Sequence, residues 1–243
     1  MQLPYRDDLA YIHDAGFGHL ASAAATMLVD CLRRQGVTSG TVVELGCGSG
    51  ISARTLVDAG YAVMGVDLSE SLIELARRRV PEATFVAKSF SEAEIPPCVA
   101  VTAIGEVLSY RFDSTNCAAT RADLFQRIYS ALMPGGIFLF DMAGPVRAPV
   151  GGRQQAFVEG SDWVVLMEAE SNAARTLLTR RITTFRRTGD CYRRDNEVHQ
   201  LELAEPADVI DSLGQVGFAV DTLSQYGSCT LPPGLVGCLA RKR

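Results

Sequence analysis

The chain has 243 residues, 47% of them apolar, and a net charge of −5. That is enough for one domain with a sizeable core, and it speaks against a surface that grips nucleic acid throughout, because phosphate binding leaves a basic footprint. No stretch approaches the roughly 18 apolar residues of a membrane span, and the opening Met1–Asp8 lacks the charged-then-apolar run of a secretory leader, so a cytoplasmic protein is expected. Seven cysteines without a C-x-x-C pair and three scattered histidines give no metal pattern and fit free thiols.

In chain order, residues 8–35 read as helix, with Leu20, Ala24, Met27, Leu28, Cys31 and Leu32 at helical spacing and a break at Gly16 and Gly18. The pattern then changes to short apolar strands alternating with helices. Strands are expected at 41–45, 61–66, 83–87, 99–103 and 137–141, and helices at 50–59, 70–79 and 119–132. Uniformly apolar strands separated by helices imply a parallel sheet covered on both faces, with ligands beyond the carboxyl ends of the strands. Residues 152–204 break the rhythm. Strands at 163–167, 176–185 and 191–203, with a turn at Thr188-Gly189-Asp190, read as an antiparallel insertion of about 50 residues. A helix at 206–216 and strands at 218–223 and 235–241 complete the chain. The last two strands have no helix between them and should pair antiparallel.

The run Glu44-Leu45-Gly46-Cys47-Gly48-Ser49-Gly50 sets an acid and three alternate glycines between the first strand and the first helix. Glycines there let another molecule touch the backbone, and the following helix offers free amides and a positive field. Asp67 ends the second strand, where a carboxylate can accept two hydrogen bonds from a ribose diol. A nicotinamide site would need G-x-G-x-x-G, but Ile51 stands at its last glycine.

These residues resemble the E-x-G-x-G-x-G motif and strand-two acid of class I S-adenosylmethionine-dependent methyltransferases, over residues 41–143 and again over 205–241. The resemblance implies a Rossmann-like α/β fold: a seven-stranded, mostly parallel sheet whose last strand is antiparallel. It implies S-adenosylmethionine as cofactor, with Gly46, Cys47, Gly48 and Gly50 at its methionine end, Glu44 at its amino group, Asp67 on the ribose, and Leu68, Ser89 and Phe90 around the adenine. The family often has an acid just after strand three, where this chain has Ala87-Lys88-Ser89-Phe90. After strand four, Ile104 and Gly105 are candidates for the methionine moiety, and Glu106 for acceptor binding or base catalysis, unless it only caps the next segment. Residues 1–36 are similar to the helical lid of small-molecule members, with Tyr11 and Phe17 as candidates to close over the cofactor; packing of an amphipathic helix is the alternative.

On this reading residues 37–150 and 205–243 form the cofactor core, and 151–204 cover the acceptor site. An oxygen nucleophile usually needs a base and an amine must attack neutral, so His199 and Glu106 are candidate catalytic residues, with His13 and His19 behind them. Arg175, Arg180, Arg181, Arg186, Arg187, Arg193 and Arg194 crowd the insertion. They read first as a solvated outer sheet face, with alternation putting Leu178, Ile182 and Thr184 on one side with Arg180 and Arg186, and second as an attractor for an anionic acceptor. The expected function is methyl transfer to an oxygen or nitrogen of a small molecule, with no metal and no membrane, and with a homodimer left open. An RNA or protein methyltransferase using the arginines, and a non-catalytic scaffold or sensor, are the alternatives.

Overall fold

The structure is a computed structural model that describes residues 4–112, 116 and 118–243. Met1–Leu3, part of the leader reading, and Cys117 lie outside the described residues. The chain opens with two helices, α1 (Asp7–Gly16) and α2 (His19–Arg34), broken where the two glycines predicted. Then follow β1 (Thr41–Leu45), α3 (Ile51–Asp58), β2 (Ala62–Asp67), α4 (Glu70–Arg79), β3 (Thr84–Ala87) and β4 (Cys98–Ala103). After α5 (Ala118–Ala131) comes β5 (Leu132–Ala143). Four strands, β6 (Arg153–Glu159), β7 (Trp163–Ser171), β8 (Leu177–Thr188) and β9 (Cys191–Glu202), precede α6 (Pro206–Val216). The last strands are β10 (Phe218–Leu223), the short β11 (Gln225–Tyr226) and β12 (Cys229–Thr230), and β13 (Leu235–Lys242).

The main sheet runs β10-β13-β5-β4-β1-β2-β3, and only β13 is antiparallel to its neighbours. Successive strand residues point to opposite faces, so β5 sends Ile137 and Leu139 into one core with Leu28, Leu32, Leu56 and Ile73, and Phe138 and Phe140 into the other with Leu124, Phe125, Ile128 and Leu213. The chain reverses its direction of growth across the sheet between β1 and β4. A crevice opens there beyond the strand ends, the usual ligand position in such sheets.

The second sheet is an antiparallel meander, β6-β7-β8-β9. It has one strand more than expected. β6 is exposed along its whole length at the sheet edge, so it carries no burial pattern to read. The meander's inner face packs Leu178, Ala169 and Leu201 on Ala143 and Ala148, and Trp163 and Val165 on Ile12 of α1. It therefore sits over the crevice with α1 beside it. Among the described residues no single helix is long and apolar enough to cross a membrane, and no group of three or more His, Cys, Asp or Glu is placed to hold a metal ion.

Candidate active site

The turn after β1 is held open by hydrogen bonds to β2. Cys47 N–H donates to the Val66 carbonyl at 2.9 Å, and Gly48 N–H donates to Asp67 Oδ2 at 2.9 Å. Asp67 Oδ1 accepts the Ser69 N–H at 2.9 Å. Each Asp67 oxygen thus keeps a lone pair for a ligand, and burial raises the proton affinity of the carboxyl. Gly48 has φ 53°, and a Cβ added there would meet nothing within 4 Å. It forms a bare cradle. Gly50 serves another purpose: a Cβ there would lie 3.1 Å from the backbone of Ala76, so it lets α4 approach.

Glu44 is buried behind the turn. Its Oε2 has no hydrogen-bond partner, and burial pushes its carboxyl up to about 7.

On the far side of the crevice, the loop after β4 is pinned by Asp141 of β5. This fully buried carboxylate accepts the Gly105 N–H at 3.0 Å, the Glu106 N–H at 2.5 Å and the Tyr226 hydroxyl at 3.1 Å. Burial pushes it up to about 6. Glu106 itself has left-handed φ 64°. Its carboxylate is clasped by Arg180 of β8 at 2.6 and 3.0 Å and by Arg147 at 2.8 Å. Burial alone would raise its proton affinity, but the two guanidinium groups outweigh that and hold it below the ordinary range.

Above this triad stands an aromatic cage. The Tyr5 ring lies 5.1 Å from His13 and 5.0 Å from His199, and Tyr5 and Tyr110 hydroxyls meet at 3.1 Å. Tyr110 stacks on Phe112 at 4.6 Å, and the Phe112 ring meets His199 at 4.8 Å. His199 is buried, and its Nε2 bonds Glu197 Oε2 at 2.9 Å while its Nδ1 has no partner. His13 Nδ1 is also buried without a partner, and burial pushes this imidazole down to about 4.

One cavity of about 470 Å³ extends from the glycine turn to the aromatic cage. That size is normal for a small-molecule site. Of the residues singled out from sequence, Phe17, Gly46, Gly48, Asp67 and Leu68 line it, as do Phe90, Ile104, Gly105, Glu106 and His199.

Five others do not line it. Glu44 lies behind the turn, and Gly50 faces α4. Cys47 turns its side chain toward β2, where a Cβ on Gly65 would come within 2.8 Å of its Sγ. Ser89 caps the short helix 90–92 by accepting the Ser91 N–H at 3.2 Å. Tyr11 donates to Asp162 at 2.9 Å under the Arg186 guanidinium, so it fastens α1 to the second sheet instead of covering the cavity. Lys88, where the family often has an acid, lines the cavity.

The arginines divide. Arg181 is exposed and pairs with Glu170, as an outer-face residue should. Arg180 is buried against Glu106, and Arg186 and Arg193 both reach Asp8 of α1. The buried Arg180 and half-buried Arg186 correct the solvated-face reading at those two positions, whereas Arg193 reaches Asp8 from an exposed one.

A family model for a methyltransferase domain matches residues 42–136. A putative methyltransferase of Bacillus subtilis is 22% identical over 197 residues, which is 79% of each chain. A crystal structure of an S-adenosylmethionine-dependent methyltransferase from Clostridium acetobutylicum superposes with a TM-score of 0.81 at 18% identity, covering 96% of this chain and 97% of the other. A sugar N-methyltransferase from Streptoalloteichus superposes at 0.75 and 18% identity, over 96% and 92%.

Residues 42–136 are thus a methyltransferase domain, in the fold of S-adenosylmethionine-dependent methyltransferases. The methyltransferase's own residues fit that cofactor. Glu44 offers a buried, unpartnered oxygen, Gly48 a bare cradle, and Asp67 two oxygens with free lone pairs. Asp141, Glu197, Tyr5 and Arg180 were not singled out from the sequence for these roles. Only Asp141 had a signal, as an acid at the end of an apolar strand in such a sheet.

Proposed function

We propose that this enzyme methylates an oxygen or nitrogen atom of a small molecule held between Asp67 and the second sheet. The observation that carries the reading is the cavity that runs from the glycine turn to His199, a buried imidazole whose Nδ1 has no partner in the protein. Residues 1–36 act as a lid, residues 37–150 and 205–243 as the cofactor core, and residues 151–204 as the roof of the acceptor site.

When bound, S-adenosylmethionine supplies an electrophilic methyl group on a positively charged sulfur. Asp67 holds the ribose hydroxyls, Gly46 and Gly48 lie under the methionine portion, and Glu44 takes up the amino group. Leu68 and Phe90 border the adenine, with Lys88 beside them. Ile104 and Gly105 flank the reacting centre. The aromatic cage aligns the acceptor and excludes water, and such alignment can supply several kcal/mol, roughly 7–11 at best.

His199 Nδ1 would take the proton that the acceptor loses as its lone pair displaces the methyl group from the sulfur, the carbon–sulfur bond breaking to release S-adenosylhomocysteine. Glu106 is a poor proton acceptor because two guanidinium groups stabilise its charge, so it fixes Arg180 in the wall instead. A macromolecular acceptor fits less well: Arg180, Arg181, Arg186 and Arg193 are committed to acids of this chain, and the cavity has the volume of a metabolite site.

The test is release of S-adenosylhomocysteine during incubation with pools of small amines and alcohols, peptides, and RNA. Turnover confined to the RNA or peptide pool overturns the reading, and no turnover with any pool favours a sensor or scaffold. His199→Ala should lower kcat about a hundredfold, within the usual range for general-base loss, and leave S-adenosylhomocysteine affinity intact.

A further inference from the structure

Glu197 is buried at 7% exposure on β9, two residues before His199. Its Oε2 accepts from His199 Nε2 at 2.9 Å and from the Tyr5 backbone N–H at 2.7 Å, and its Oε1 accepts the Arg6 N–H at 2.8 Å. Tyr5 has left-handed φ 51°, a conformation that side-chain-bearing residues avoid. Two successive N–H groups that converge on one anion make a backbone nest. The Arg6 guanidinium grips Asp195 on the same strand at 2.6 Å, and Ser69 Oγ donates to the Tyr5 carbonyl at 2.7 Å. Ser69 N–H in turn donates to Asp67. A chain of bonded groups therefore runs from Asp67 through Ser69 and Tyr5 to Glu197 and His199, joining β2, the N-terminal segment and the roof.

We propose that Glu197 is a positioning residue that fixes the proton of neutral His199 on Nε2, and that docking of the Tyr5–Arg6 nest holds it in place. A carboxylate that accepts from backbone N–H groups has no proton to give, so Nε2 must be the donor. The lone pair of the neutral ring then lies on Nδ1, the nitrogen with no protein partner. When Nδ1 takes the acceptor's proton, the imidazolium faces the Glu197 carboxylate, and one charge balances the other. Closing the N-terminal segment and readying the base become one event. The proposal rests on His199 being the base.

The test combines nitrogen NMR of protein with isotopically labelled histidine and a mutant cycle. The wild-type spectrum should place the His199 proton on Nε2 near neutral pH, with the signal assigned by its loss in His199→Ala. In Glu197→Gln the side-chain amide can donate to Nε2 and move the proton to Nδ1. That variant should lose most of the turnover lost in His199→Ala, about a hundredfold, with KM for S-adenosylmethionine within about twofold. Glu197→Asp keeps the charge and should recover part of the loss. Glu197→Gln added to His199→Ala should cost nothing more. A proton on Nδ1 in the wild type, an unchanged tautomer in Glu197→Gln, or independent losses in the double variant would each overturn the proposal. The first of these needs no variant to fold. Full turnover in His199→Ala would instead remove the base reading and take the coupling with it.

Discussion

At the glycine-turn end the cavity wall includes the bare backbone of Gly46, Gly48 and Gly105, with Gly48 held by Asp67 and Gly105 by Asp141, and Leu68 and Phe90 beside them. At the His199 end it is made of side chains from segments far apart in sequence: Tyr5 and His13, Tyr110 and Phe112, Arg147, Arg180 and His199. On the proposed function the first end would serve any chain that binds the same cofactor, because backbone amides and one acid would recognise what is common to all such ligands. The second can be rebuilt residue by residue without disturbing the sheet. On the proposed function the difference separates a fixed cofactor half from an adaptable acceptor half, and substitutions at the two ends should separate binding from turnover and stability.

The largest effect is expected at the cofactor end. Asp67→Ala removes two hydrogen bonds to a charged group and the anchor of Gly48, so S-adenosylhomocysteine affinity should fall on the order of 10³-fold, or about 4 kcal/mol, in calorimetric titration. A modest loss would break the comparison at its root.

At the acceptor end, Arg180→Met leaves buried Glu106 with Arg147 alone. It should destabilise the fold by about 3 kcal/mol in denaturant melts, the cost of an uncompensated buried charge. Cofactor affinity of the folded fraction should hold; a parallel loss would show that the two halves are not separable.

Glu44 gives a third measure, through pH. Burial raises its folded-state affinity for a proton to about 7, above the ordinary 4.5. A carboxyl raised on folding contributes stability that is full below its unfolded value and is lost as pH rises through the folded one. Cofactor-free wild type should therefore lose about 2–3 kcal/mol from this group between pH 4.5 and 8. Glu44→Gln should remove that component, and thermal melts of the two proteins should diverge toward high pH. Curves that stay parallel would mean the carboxylate is solvated after all.

The smallest effect is at Tyr11. Tyr11→Phe removes one hydrogen bond to Asp162, worth about 1 kcal/mol, and should leave KM for S-adenosylmethionine unchanged, because the ring fastens α1 to the second sheet and does not face the cavity. A rise in KM would return Tyr11 to the cofactor.

The glycine turn and its flanking acids are legible in the sequence. Glu44, the glycines and Asp67 fall within one strand-helix-strand unit, where spacing along the chain is nearly spacing in space. Direction is what the spacing leaves open. Gly50 and Cys47 belong to the motif, but one faces α4 and the other β2, and a motif does not say which way a side chain turns. β6 escaped because an exposed edge strand carries no alternation of apolar and polar residues.

By itself, then, the sequence determined the parallel core, the antiparallel last pair, the inserted meander and the acid-flanked glycine turn, since burial periodicity and glycine geometry are local properties. Only the tertiary structure decided that Arg180 would neutralise Glu106, that Asp141 would pin the loop after β4, and that Tyr5 and Arg6 would present their amides to Glu197 behind His199. Those partners are brought together from separate segments of the chain, and their pairing follows from the desolvation cost of leaving a buried charge alone, which no spacing in the sequence records.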